Sequence, residues 1–207
     1  MKKIISLLLL VCLIYSMASC KNTVQADNTN NLASQLSTIQ YTYSASMNTT
    51  YTFLAVTNQS EKDVRIKADA IFYDIDGNTI TSQNAEQVAV EHGTQTLFCF
   101  IVDEPYETMS YQYTVQEEEV YKCVASQIKL DNVQAQDYLT VTLTNTGEEN
   151  ILFPEVTALF FNTGILVDAR TEKVDTLQSN TQTVIELPCF EEFDESKLFF
   201  SGRINKT

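Results

Sequence analysis

The chain has 207 residues, 44% hydrophobic, with 13 basic against 27 acidic side chains and a formal net charge of −14. A surface of that sign repels nucleic acid and anionic lipid headgroups, whose capture needs basic patches, and no basic cluster occurs along the chain. Five glycines and one histidine leave little room for a glycine-rich phosphate cradle or a histidine-based metal site, and no cofactor is expected.

Residues 1–19 read as a lipoprotein signal peptide. Lys2 and Lys3 form a basic start, and 4–15 is an apolar run too short to span a membrane. Met17-Ala18-Ser19-Cys20 resembles the bacterial lipobox, in which lipid is attached to the cysteine and the chain is cut just before it. Met17 departs from the usual Leu, and an ordinary secretory signal or a retained anchor is the alternative. The resemblance implies a protein anchored to a bacterial membrane through Cys20, facing the extracytoplasmic side. Loss of Lys2 and Lys3 leaves 11 basic against 27 acidic residues, a net charge of −16 over 188 residues. Residues 20–37 are rich in Asn, Gln, Thr and Ser without an apolar period, and read as a flexible tether.

Residues 38–116 read as a first unit of seven short strands, near 39–47, 51–57, 64–72, 79–82, 88–90, 96–102 and 108–115. Val64, Ile66, Ala68, Ala70 and Phe72 alternate with Arg65, Lys67 and Asp69, the pattern of a strand with one wet face. Gly77 supplies the positive φ for the turn at 74–78. Frequent turn signals and the lack of an amphipathic helix predict an all-β antiparallel sandwich. The short acidic stretch Glu117-Glu118-Glu119 reads as a solvated linker, so close that the flanking units touch or are held semi-rigidly.

Residues 121–207 repeat the first unit at an offset of 87. Tyr51 meets Tyr138, Thr57-Asn58 meets Thr144-Asn145, and Gly77 meets Gly164. The register slips by one after Pro154-Glu155, which predicts a β-bulge or an edge position there. The same offset sets Tyr41, Tyr43, Tyr111 and Tyr113 against Ile128, Leu130, Leu198 and Phe200. A stripe that accepts aliphatic residues reads as core before it reads as a ligand platform. Cys99 meets Glu186 and is expected to point outward or lie near an edge.

Thr57-Asn58-Gln59-Ser60, a strand, then Ile71-Phe72-Tyr73-Asp74 and Asp76-Gly77 resemble the FxLYD-type domains of bacterial lipoproteins. The second unit carries a degraded copy, Leu159-Phe160-Phe161-Asn162, with no Asp-Gly. The resemblance implies two tandem immunoglobulin-like sandwiches at a cell surface, and it brings no catalytic residue with it.

Few residues invite chemistry. Asp74, Asp76 and Asn78 begin like a calcium loop but lack its sixth-position Gly and twelfth-position Glu, so a plain hairpin turn is expected. His92 sits beside Gly93 in an apparent turn, with no nucleophile placed for it. Cys99, Cys123 and Cys189 allow three disulfide pairings or none, with Cys123–Cys189 the candidate bridge because both flank the second unit's strands. Glu191, Glu192, Phe193, Asp194 and Glu195 concentrate four carboxylates around one Phe, a candidate surface for a basic partner, although Phe193 and its counterpart Tyr106 also read as plugs at a sandwich end. The expectation is a non-catalytic, lipid-anchored binding or scaffolding protein of the bacterial envelope. The alternative is a structural spacer or accessory lipoprotein, which should lack a concave apolar patch.

Overall fold

The computed structural model describes residues 32–45 and 48–206. Expectations for residues 1–31, the lipobox and Cys20 among them, lie outside the described residues. The first unit consists of β1 (Leu36–Ser44), β2 (Thr50–Asn58), β3 (Val64–Tyr73), β4 (Thr79–Val90), β5 (Gln95–Val102) and β6 (Thr108–Glu117). The second consists of β7 (Tyr121–Lys122), β8 (Ile128–Gln134), β9 (Tyr138–Asn145), β10 (Ile151–Asn162), β11 (Ile165–Lys173), β12 (Thr176–Leu177), β13 (Gln182–Pro188) and β14 (Glu195–Asn205). One-turn 3-10 segments, Ala33–Gln35 and Ala125–Gln127, precede β1 and β8. The protein is all-β, and every ladder is antiparallel.

Each unit folds as two facing sheets. Those of the first run β1-β2-β5 and β4-β3-β6; those of the second run β8-β9-β13 and β11-β10-β14-β7, with β12 added beside β10. Among the described residues no ladder joins the two halves. The alternation in β3 holds throughout: Val64, Ile66, Ala68, Ala70 and Phe72 are buried while their neighbours are not. They meet Leu54, Val56, Phe98 and Phe100 from the opposite sheet in the first core. In the second core Val156, Ala158 and Phe160 face Leu139, Val141 and Leu143.

Three details differ from the sequence expectation. Thr79–Val90 is one strand, so the first unit has six strands rather than seven. The intervening glutamines tolerate an edge because they serve it: Gln83 Nε2 donates to the Ile101 carbonyl at 2.6 Å, and Gln87 Nε2 to the Leu97 carbonyl at 2.9 Å. They occupy backbone groups of β5 that a foreign strand would otherwise take. Second, the fold starts within the stretch expected to be tether, at the 3-10 turn Ala33–Gln35 and β1. Third, β1 and β8 do not match at an offset of 87. Leu36 pairs with Asn58 and Ile128 with Asn145, which sets Leu36 opposite Ile128 in the repeat and Tyr41 opposite Val133. The repeated Ala-Ser-Gln before each strand marks this larger offset of 92, which arises because the β1–β2 connection is longer than the β8–β9 one.

The corner after β2 shows why Asn recurs. Asn58 is fully buried and donates to the Lys62 and Val90 carbonyls at 2.7 and 3.1 Å, while its oxygen accepts from Ser60. Asn145 does the same with the Glu149 and Leu177 carbonyls and the Gly147 amide. A buried amide that satisfies both its ends fastens the β2–β3 and β9–β10 corners to the strand beyond.

The β10–β14 register shifts between Leu152 and Glu155, where Phe153 takes φ +50 ahead of Pro154. The missing proline amide makes this the natural place for a bulge.

Candidate functional site

The strongest feature of the molecule is the seam between the units. β2 is buried on both faces from Thr52 to Val56, and β10 from Val156 to Phe161. The reason is a third apolar cluster. Phe53, Ala55 and Leu97 on the outer face of β1-β2-β5 pack against Leu159, Phe161, Leu166 and Phe199 on the outer face of the β10 sheet. Continuous apolar runs such as Phe53-Leu-Ala-Val56 and Ala158-Leu-Phe-Phe161 fit strands covered on both sides. The units are therefore stacked sheet on sheet, four layers deep.

The tyrosine stripe divides accordingly. Tyr111 and Tyr113 belong to the first core, with Tyr113 Oη 3.0 Å from Thr38 Oγ1. Tyr41 and Tyr43 instead turn outward into the seam. Tyr41 meets Phe161 edge-on at 5.3 Å, and Tyr43 stacks on Tyr51 at 5.2 Å. Lys197 Nζ lies 5.4 Å from the Tyr41 ring centre and 4.9 Å from that of Phe161. Tyr43 donates to Asp168 Oδ1 at 3.5 Å, and Asp168 pairs with Arg170 at 2.7 Å. Burial, and then the Asp168 charge, push the Tyr43 phenol up to about 12.

A buried carboxylate pins the joint. Glu118 lies in the middle of the acidic triplet, yet its side chain is fully buried. Its Oε1 accepts from the Val120 and Tyr121 amides at 2.9 and 3.1 Å. Its Oε2 accepts from the Ala89 amide at 3.2 Å and Arg65 Nε at 3.4 Å. Lys206 Nζ donates to its carbonyl at 2.6 Å. Burial raises the Glu118 pKa, but the Val120 and Tyr121 amides, the Arg65 guanidinium and the Ala89 amide outweigh it and hold the carboxyl below its ordinary range. The linker is thus a clamp, a correction to its reading as a solvated acidic stretch: Arg65 on β3 and the Ala89 amide at the end of β4 reach Glu118 from far along the chain, and the Val120 and Tyr121 amides close on it from just beyond.

Cavities follow the seam. Beside β14 a cleft of about 160 Å³ is lined by apolar side chains of both units, among them Val88, Val90, Val124, Leu130 and Leu198. A groove of about 540 Å³ lies between β4 and β5 of the first unit and β10, β11, the turn after β11 and β14 of the second, with Gln87, Cys99, Phe153, Glu155, Lys173 and Arg203 among its walls. Cys99 faces outward there, on the side opposite the first core, and is exposed. Phe153 is 60% exposed on its positive-φ backbone. Clefts between domains are favoured places for ligands.

The residues singled out in the sequence lie elsewhere. In the loop 191–195, Phe193 packs on Phe160 with ring centres 4.8 Å apart, as Tyr106 packs on Phe72 at 4.9 Å. Both rings are plugs at equivalent sandwich ends. Asp194 accepts the Thr163 amide at 3.0 Å, and Glu195 lies 3.8 Å from Lys197, which leaves Glu191 and Glu192 as the outward carboxylates. The exposed ring beside them is Phe190, 81% exposed, with the Arg170 guanidinium 5.2 Å from its centre.

The Cys123–Cys189 bridge is not formed; Cys99, Cys123 and Cys189 are all free. Cys123 sits at the joint, where burial and then Asp63 push its thiol up, while Cys189 is buried in the second core and donates to the Glu191 carbonyl at 3.2 Å. Their surroundings are different parts of the molecule, so their thiols do not meet. The Asp74 turn is a hairpin turn closed by its own side chain, which accepts from the Asp76 and Asn78 amides and from Asn78 Nδ2. The Asn78 side chain and amide hold the Asp74 carboxyl below its ordinary range. His92 Nδ1 meets the Ser60 carbonyl, whereas the Ser60 hydroxyl donates to Asn58. Among the described residues no group of three or more His, Cys, Asp or Glu side chains is placed to hold a metal ion, and no helix is long and apolar enough to cross a membrane.

No protein-family model matches the chain, and no curated protein sequence does. Among solved structures, a red sea bream transglutaminase aligns with 81% of this chain at 10% identity and a TM-score of 0.28, and the chain spans 29% of that protein.

Proposed function

We propose that the chain is a non-catalytic, lipid-anchored, extracytoplasmic binding or scaffolding protein of a bacterial cell envelope, attached through Cys20. The lipobox-like leader, the acidic composition and the FxLYD-like motif support the location. What supports binding over a simple spacer is the concavity of the seam: the two units are fused through an apolar face, and a groove of about 540 Å³ runs between them. A partner meets a surface made by both units at one fixed angle.

Two measurements test the reading. Cys20→Ala should move the protein from the membrane fraction to the soluble one or leave an unprocessed leader; unchanged membrane association rules out the anchor. A photo-crosslinking residue at Thr171, on the groove, should give a discrete adduct in intact cells that the same residue at Thr142, on the outer face of β9, does not. Adducts at neither position favour the spacer.

A further inference from the structure

The charge ledger of the described residues isolates one side chain. Nine of the ten described lysines and arginines reach an oxygen: Lys62, Arg65, Lys67, Lys122, Lys129, Arg170, Lys173 and Lys197 each lie within 4.0 Å of a carboxylate, and Lys206 donates to the Glu118 carbonyl. The Arg203 guanidinium has no carboxylate or carbonyl acceptor among the described residues. It touches rings instead, with its guanidinium carbon 4.7 Å from the Tyr121 ring centre and 5.1 Å from that of Phe153. Tyr121 in turn lies 5.9 Å from Arg65, the guanidinium that Glu118 holds, so a column of alternating cations and rings runs from the buried joint to the groove.

An arginine held by aromatic faces keeps its in-plane N–H donors free, and that fork matches a carboxylate. In a chain this acidic, a free fork facing a groove between the units is unusual. Phe153 beside it presents an exposed ring from a backbone conformation that a bulky residue rarely adopts. Glu155 is occupied by Lys173 at 2.8 Å, while Glu86 and Asp175 also line the groove and disfavour a multiply charged anion.

We propose that Arg203 is the anchor of a carboxylate-binding site, and that the groove takes a short extended peptide by its free C-terminal carboxylate, with an apolar side chain against Phe153. This rests on the binding reading above and names its ligand class.

The test is an NMR titration of the purified soluble chain from residue 21, following the Arg203 Nε–H signal and the Ser201 amide. The probes are N-acetyl-Ala-Ala-Phe as free acid, the same peptide as C-terminal amide, and inorganic phosphate. The free acid should shift both signals and bind at least about tenfold more tightly than the amide or phosphate, the scale of one charge-assisted hydrogen-bond pair. Arg203→Gln should remove the preference for the acid, and Arg203→Lys, which keeps charge without the fork, should reduce it. Phe153→Gly suits the positive φ, so it should keep the melting temperature while weakening the acid peptide. Equal affinity for acid and amide, tighter binding of phosphate, or an unchanged preference in Arg203→Gln overturns the proposal. Crosslinking at Thr171 in cells together with such a failure leaves the binding reading standing with another ligand; its absence together with acid-selective binding in vitro removes the cellular reading alone.

Discussion

Ile71 and Leu159 hold the same place in the repeat and have different surroundings. Ile71 is 36% exposed on the outer face of β3, whereas Leu159 is fully buried between the units. The same contrast runs along both stacked faces. Tyr73 answers Phe161, and Gln112 answers Phe199. On the other sheet Phe53 and Ala55 answer Thr140 and Thr142, while Leu97, 9% exposed, answers Val184 at 57%. One unit therefore offers its β1-β2-β5 face and the other its β10 sheet. The equivalent outward faces carry threonine, glutamine and charge around single apolar residues such as Ile71 and Val184. A head-to-tail contact between repeats would otherwise propagate, and polar outer faces end such a stack. Two copies of one sandwich have become unlike where they meet and where they stop.

That contrast gives a graded set of expectations. Leu159→Asp places an unpaired charge in the seam and should destabilise the protein by about 4 kcal/mol or more, while Ile71→Asp at the matching place should cost under about 1 kcal/mol in urea unfolding. Glu118→Ala strands Arg65 and three amides and should cost about 3 kcal/mol, whereas Glu119→Ala next to it should stay within about 0.5 kcal/mol. Because the folded pKa of Glu118 is depressed, its stabilisation is complete above the unfolded value near 4.3 and fades as pH falls through the lower folded value. Glu118→Gln should flatten that acid limb of the stability curve. Asn145→Ala and Asn58→Ala each leave buried carbonyls without a donor and should cost about 2 kcal/mol, with similar values because the two corners are built alike. The smallest change belongs to the acidic loop: Glu192→Lys should move stability by less than about 0.5 kcal/mol, while Phe193→Ala, which removes the plug on Phe160, should be clearly destabilising.

Much of this was legible in the residues. The alternation in β3, the turns at Gly77 and Gly164, the bulge near Pro154 and the plugs Tyr106 and Phe193 all follow from local pattern, and the structure holds them. The seam was not read because alternation was expected everywhere. Continuous apolar runs such as 53–56 and 158–161 carry their own meaning, a strand with no wet face, and comparison of the two copies would have shown which face each run served. Tyr41 and Tyr43 were matched to the wrong partners because a longer hairpin connection changes the offset within the first strand, although Ala-Ser-Gln occurs at both starts. Glu118 was beyond sequence reasoning: nothing local distinguishes it from Glu117 or Glu119, and two of its donors, Arg65 and the Ala89 amide, come from strands far along the chain. Arg203 was hidden for the same reason, since an unpaired cation is visible only once every other cation has found its partner.

The central claim is that the two sandwiches form one body. Residual dipolar couplings of backbone amides in the soluble chain test it most directly. The account predicts that couplings from residues 36–117 and 121–205 fit a single alignment tensor on the stacked arrangement, and that Leu159→Asp splits them. Two tensors of different magnitude in the unmodified protein, with each sandwich fitting well alone, would contradict it.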